Sequence, residues 1–184
     1  SDIRKVVSPV LRTGVDSMVY YIDFSFDKLK LGGSAFAQSL DKIGKEVPTV
    51  QDSEYFANAF NAVQELINKE LILAGHDISA GGMITTMLEM NFANTEGGLE
   101  VSLDEIPEKD LVKILFSENP GILIQVEKTD EVEKILKKAG VAFIRLARPC
   151  DERHLLIHKD GADYQFFIDH LRDVWFESSY LLDR

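Results

Sequence analysis

The stretch AGHDISAGGM, residues 74–83, places a carboxylate, a hydroxyl and two glycines directly before an apolar run typical of a helix. The first turn of a helix leaves N–H groups without intrahelical partners, and the helix dipole is positive there. Gly81 and Gly82 would let a phosphate approach those amides. Asp77 suits a hard cation such as Mg²⁺, and Ser79 can donate to a phosphate. The pattern indicates a site for a metal-bound phosphate. The alternative is that Asp77 or Ser79 only caps the helix and the glycines only form a turn.

A second stretch has the same form. LGGSAFAQ, residues 31–38, brings Gly32, Gly33 and Ser34 before another short helix. Two such loops could line one cleft, and Glu118 in LFSENPG either faces that cleft or is structural only. Neither loop is a Walker A motif or a dinucleotide fingerprint, because the required lysine and glycine spacing are absent.

No set of nucleophile, base and orienting residue is apparent, so we assign no catalytic residue. Cys150, the one cysteine, has no neighbouring histidine, and no Gly-x-Ser-x-Gly elbow occurs. A single cysteine excludes an intrachain disulfide and a cysteine-based metal site, which fits a reducing, cytoplasmic location. We expect Cys150 to be partly buried near a strand end.

The composition excludes several classes of protein. The chain has 184 residues, 45% of them hydrophobic, which is enough for one good core. Its formal net charge of −11 opposes binding to nucleic acid. No apolar run approaches the roughly 20 residues of a membrane span, so we expect no membrane partner. The start at Ser1, without methionine, favours residues 1–184 as a single domain cut from a longer chain.

The order of elements predicts the fold class. Strands and helices are mixed irregularly, which favours an α/β fold of the α+β type, with a mixed β-sheet covered by helices. In the helix predicted at 52–69, Phe56, Phe60, Val63 and Ile67 recur on what reads as a single apolar face. The main predicted elements are strands at 16–25, 71–77, 95–103 and 121–127, helices at 34–44, 52–69, 81–92, 129–140 and 168–180, and a hairpin turn at 159–161.

The stretch AGHDISAGGMITTMLEMNFAN, residues 74–94, resembles the His-Asp-x-Ser-Asp-Gly-Gly motif and following helix of the phosphoribosylformylglycinamidine synthase family. IRKVVSPVLR, YYIDFSFDKLKLGGSAFAQ, LFSENPGILIQV and VWFESSYLLDR match the family in the same order, over essentially the whole chain. The resemblance is to the C-terminal subdomain of the second synthetase-like half of the long, single-chain form, within the aminoimidazole ribonucleotide synthetase superfamily.

This resemblance implies a function and a site. The fold would be a mixed sheet with helices on one side. The parent reaction would convert formylglycinamide ribonucleotide and glutamine to formylglycinamidine ribonucleotide in purine biosynthesis, with ATP activating an amide oxygen and ammonia displacing the phosphate. Asp77 would bind Mg²⁺ and Ser79 a nucleotide phosphate, at an auxiliary ATP/ADP site. Ala80 stands where the family usually has a second acid, which removes one potential metal contact.

The resemblance also implies partners. The N-terminal synthetase halves and the glutaminase domain of the same chain would complete the enzyme, and the isolated piece would be inactive. The alternative is that the domain is purely a scaffold with a vestigial phosphate loop. A small kinase-like or synthetase enzyme of the same superfamily, such as thiamine-monophosphate kinase, is disfavoured, because the N-terminal ATP-binding half of such enzymes is missing from this sequence.

Overall fold

A computed structural model describes residues 5–182 of the chain. The strands among them are β1 (Met18–Asp23), β2 (Ala74–Asp77), β3 (Gly98–Ser102), β4 (Gly121–Val126), β5 (Ile144–Cys150), β6 (His154–Lys159) and β7 (Ala162–Phe167). The helices are α1 (Ala35–Ser39), α2 (Ser53–Asn68), α3 (Gly82–Phe92), α4 (Leu111–Phe116), α5 (Thr129–Lys138) and α6 (Ile168–Leu182). Parts of two stretches quoted above, residues 3–4 of IRKVVSPVLR and residues 183–184 of VWFESSYLLDR, lie outside the described residues.

The seven strands of this described region form one sheet in the order β2-β4-β1-β5-β3-β6-β7. Neighbouring strands are antiparallel, except that β3 and β6 are parallel. The predicted mixed sheet covered by helices is therefore confirmed. The predicted hairpin turn is present as well, since Asp160 and Gly161 between β6 and β7 both have positive φ angles, as a type I′ hairpin turn requires.

Helices cover both faces of the sheet. Successive side chains of a strand point to opposite faces, and on β1 both sets are apolar and have to be buried. On β1, Val19 and Tyr21 pack into a core shared with α3, α4 and α6. Tyr20 and Ile22 pack into a second core, shared with α2 and α5. The arrangement with helices on one side is wrong. The signal against it lies in MVYYID, where both alternate sets of residues are apolar.

Helix α2 packs on the sheet with a face that only partly overlaps the predicted one, since Val63 is buried and Ile67 packs against the same core. Asp52 caps it, within one residue of the predicted start, and accepts from the amides of Glu54 and Tyr55. Its buried side chains are Tyr55, Ala59, Ala62, Val63 and Leu66, whereas Phe60 is 48% exposed. Small alanines face the sheet, and Phe56 and Phe60 lie to one side, beside Asp77 and Ile78 at the end of β2. Helix α1 is also shorter than predicted, ending at Ser39.

One buried lysine stabilises the loop after β3. Lys159 is 7% exposed, and its Nζ donates to the carbonyl oxygens of Leu103 (3.1 Å) and Ile106 (3.0 Å). Lys159→Met keeps the apolar stem but leaves both carbonyls without this donor. We expect a loss of about 2 kcal/mol in the free energy of unfolding, measured by chemical denaturation. Lys45→Met, at an exposed lysine, should change it little; equal effects would contradict the assignment.

Candidate functional site

The ends of β1 and β2 and the start of β4 lie at the same end of the sheet. This brings the two glycine loops close to the segment that contains Glu118. Asp77, the last residue of β2, pairs with Ile122 of β4. Asp23, the last residue of β1, pairs with Gly121 at the start of β4. The loops that follow β1 and β2 therefore lie beside the segment that leads into β4.

Among the described residues, no helix has the length and apolar character needed to span a membrane.

Asp77 presents its side chain to solvent while its backbone is anchored. The side chain is 76% exposed. Its carbonyl oxygen accepts from Thr86 Oγ1 (3.1 Å) and lies 2.9 Å from His76 Nδ1. The other ring nitrogen of His76 lies 3.4 Å from Glu89 Oε2. These contacts fix the backbone at the end of β2 and leave the carboxylate directed outward.

The turn after Asp77 does not depend on a side-chain cap. Ser79 and Ala80 are exposed, and the Ser79 carbonyl accepts from the Gly82 amide at 3.0 Å. Gly81, with φ +88°, is the N-cap residue of α3, and no side chain caps this helix. The alternative that Asp77 or Ser79 serves only as the helix cap is therefore wrong.

Both glycines have a structural role in this turn. The Gly81 amide donates to Glu118 Oε1 at 2.8 Å. A Cβ on Gly82, whose φ is +74°, would lie 2.6 Å from the Leu115 carbonyl oxygen and 2.8 Å from backbone atoms of Phe116. Gly82 is thus required for close approach of α3 to the end of α4. A phosphate at this turn would meet amides that already have partners within the chain.

The second glycine loop reaches the same carboxylate. The Ala35 amide, at the start of α1, donates to Glu118 Oε1 at 2.8 Å. Ser34 caps α1 by accepting from the Ala37 amide at 3.2 Å. Phe36 stacks on Phe116 with 4.7 Å between ring centroids. Glu118 therefore joins the two glycine loops, which were considered as walls of one cleft.

Asn119 is a positioning residue that the sequence analysis missed. It is 1% exposed, and its Nδ2 donates to Ser25 Oγ and to the Lys28 carbonyl oxygen, both at 3.1 Å. Its Oδ1 accepts from the Lys30 amide at 3.2 Å. These bonds hold the loop after β1 against the start of β4. Its only signal in the sequence is an amide side chain beside Glu118, between a helix and a strand.

The arrangement fits a cation held by one protein carboxylate. In the stretch 5–182, no group of three or more His, Cys, Asp or Glu side chains converges. Mg²⁺ is commonly bound by one or two carboxylates together with phosphate oxygens and water. A nearby cavity of about 770 Å³ is bordered by Tyr21, Lys28 and Lys109, not by Asp77 or Ser79. Asp77 instead borders a largely apolar cavity of about 390 Å³, together with Phe56, Phe60 and Ile78, and it is the one acidic residue in that lining.

Comparison with known proteins identifies the family. Residues 18–155 match the family described as AIR synthase related protein, C-terminal domain. The chain belongs to this family. A probable phosphoribosylformylglycinamidine synthase of Arabidopsis thaliana, chloroplastic/mitochondrial, is 36% identical over 188 residues, covering 100% of this chain and 13% of the relative. Phosphoribosylformylglycinamidine synthase of Homo sapiens is 31% identical over 190 residues, covering 100% of this chain and 14% of the relative.

A solved structure supports the fold of this AIR synthase related domain. The structure of T. maritima PurL complexed with ATP has a TM-score of 0.70 and 15% identity, covering 92% of this chain and 28% of that chain. The part of the chain that matches the family includes both glycine loops and the segment with Glu118 and Asn119. It ends before β7 and α6. The chain spans only 13% of the length of the Arabidopsis relative.

Proposed function

We propose that this chain is part of an ATP-dependent carbon–nitrogen ligase that converts formylglycinamide ribonucleotide, with glutamine as the ammonia source, to formylglycinamidine ribonucleotide. The support is family membership together with two relatives named phosphoribosylformylglycinamidine synthase that match the whole chain. The reaction belongs to purine biosynthesis, and we place it in the cytoplasm because the single cysteine fits a reducing compartment.

Within that enzyme, the chain contributes an auxiliary Mg-nucleotide site, which binds ATP or ADP without catalysing turnover. The observation that carries this proposal is the outward-directed carboxylate of Asp77, 76% exposed, two residues before an exposed serine, Ser79, in the turn that precedes α3. Mg²⁺ would neutralise part of the polyphosphate charge there. Asp77 binds the cation and Ser79 donates to a phosphate, while Gly81 and Gly82 shape the turn that presents them.

The site needs further walls, because Asp77 and Ser79 are exposed and the cavity that Asp77 borders is lined mainly by apolar side chains. We propose that the other subdomains of the same longer protein, including its N-terminal synthetase halves and glutaminase domain, supply those walls and the catalytic residues. Ala80 offers no second carboxylate, so the remaining metal ligands also come from outside this chain. The isolated chain is therefore expected to have no synthetase activity and to bind Mg-ADP weakly or not at all.

Asp77→Asn in the full-length protein tests the site. The amide keeps the size of the side chain but removes the negative charge that attracts the cation. We expect the nucleotide that copurifies with the protein, measured by chromatography after denaturation, to fall about tenfold or more, the size of effect typical of metal-site changes. The backbone contacts of Asp77 do not involve the carboxylate, so the melting temperature measured after removal of bound nucleotide should stay near that of the unmodified protein treated in the same way.

The matched control is Asp151→Asn, at an exposed aspartate in the turn between β5 and β6. It should retain the full nucleotide content. An unchanged nucleotide content in Asp77→Asn would instead support the second candidate function, a scaffold domain. One observation favours that candidate: the amides of Gly81 and Gly82 already have acceptors within the chain, namely Glu118 and Ser79.

A further inference from the structure

We infer that Glu118 is the positioning residue of the nucleotide site. It joins the turn at Gly81 and the loop at residues 33–35 to the segment that leads into β4. This connection holds Asp77 and Ser79 in one geometry. This inference rests on the proposed function for its ligand. It depends on a separate observation for its geometry, which is that one carboxylate oxygen accepts from the amides of Gly81 and Ala35, each at 2.8 Å.

The location of Glu118 makes it a rigid anchor. Its two neighbours, Ser117 and Asn119, are 3% and 1% exposed. The Ser117 amide donates to the Lys113 carbonyl oxygen at 3.1 Å. The segment between α4 and β4 is therefore fixed on both sides of Glu118. A negative charge at the start of α1 and of α3 also complements the positive ends of both helix dipoles.

Glu118 could alternatively be an internal competitor that occupies the place of a phosphate oxygen. The orientation of the turn argues against this. The Gly81 amide is directed at Glu118, on the same side where Gly82 packs against the backbone of Leu115 and Phe116. Asp77 and Ser79, in contrast, are exposed. Glu118 therefore contacts the turn from the side of α4, where it is half-buried, and a ligand at Asp77 and Ser79 would approach from the solvent side.

The test compares Glu118→Ala with Glu118→Gln in the full-length protein. The glutamine retains an oxygen that can accept from both amides, whereas alanine retains none. We expect the dissociation constant for Mg-ADP, measured by isothermal titration after removal of copurified nucleotide, to rise about tenfold or more in Glu118→Ala and to stay within about threefold in Glu118→Gln. Glu105→Ala, at an exposed glutamate after β3, should leave it unchanged.

Amide hydrogen exchange provides the second measurement. Peptides that contain Ala35 and Gly81 should exchange faster in Glu118→Ala than in Glu118→Gln, while peptides from α5 should not change.

Unchanged or tighter Mg-ADP binding in Glu118→Ala would overturn the inference, and tighter binding would identify Glu118 as a competitor. If the unmodified protein binds no Mg-ADP, the proposed function fails, and hydrogen exchange still decides whether Glu118 joins the loops. If Glu118→Ala does not fold, Glu118→Asp, which is one methylene shorter, replaces it with the same expectation.

Discussion

Replacing Gly82 with alanine is expected to lower the free energy of unfolding by about 3 kcal/mol or more. The φ of +74° at this position costs an L-residue about 1–2 kcal/mol. The new Cβ would also lie 2.6 Å from the Leu115 carbonyl oxygen, so α3 and α4 would have to move apart, which costs about 1–3 kcal/mol more in a packed interior. Chemical denaturation of the variant measures the sum.

Gly161→Ala is the matched control for this prediction. Gly161 has a similar φ of +80°, but a Cβ there would meet nothing within 4 Å. Its cost should be the conformational term alone, about 1–2 kcal/mol. If both variants lose the same free energy of unfolding, the contact between α3 and α4 is not the reason that position 82 needs glycine. The structural role assigned to Gly82 would then be wrong.

Local sequence patterns predicted most elements because the underlying physics is local. Ser34 and Asp52 cap α1 and α2 with their own side chains, as a hydroxyl or carboxylate does at a helix start. The apolar and β-branched run of β1 and the turn residues at 160–161 specify their conformations within a few residues. Cys150 is partly buried as the last residue of β5, as expected.

The face of α2 and the arrangement at Glu118 could not be predicted in the same way. The stripe of Phe56 and Phe60 satisfies helical periodicity, but the face that the helix buries is the one that carries Ala59 and Ala62. Glu118 reaches amides 37 and 83 residues away along the chain. That contact depends on the pairing of β1 and β2 with β4, which no local pattern encodes. The sequence indicated that both loops and Glu118 could share a cleft, but not that Glu118 is the link.

Replacing Glu133 with alanine should cost about 3 kcal/mol, because Glu133 satisfies a buried hydroxyl. Glu133 Oε1 accepts from Tyr20 Oη at 2.9 Å and from Arg145 Nε at 2.7 Å, and Oε2 accepts from Lys137 Nζ at 2.9 Å. Tyr20 is fully buried, and burial raises the pKa of its hydroxyl to about 12, so it remains a neutral donor. Alanine would leave that donor without its acceptor, in addition to removing bonds to two cations.

A double-mutant cycle separates the hydroxyl from the charges. In a Tyr20→Phe background no hydroxyl remains to be satisfied, so Glu133→Ala should cost about 1–2 kcal/mol less than in the unmodified protein. Glu131→Ala, at an exposed glutamate in the first turn of the same helix, should cost no more than about 1 kcal/mol. Additive effects of the two substitutions would show that the Tyr20–Glu133 bond contributes nothing.

The pH dependence provides an independent check of the same cluster. Hydrogen bonds from Lys137, Arg145 and Tyr20, with Lys137 contributing most, lower the pKa of Glu133 from 4.5 to about 2 against the opposing effect of burial. A carboxyl whose pKa is lower in the folded state stabilises the fold above its unfolded pKa, and this contribution disappears as pH falls through the folded value. The stability difference between the unmodified protein and Glu133→Gln, which keeps an acceptor for Tyr20 but carries no charge, should therefore be full above about pH 5 and shrink toward pH 2. A difference that stays constant over this range would mean that the charge of Glu133 does not stabilise the folded protein.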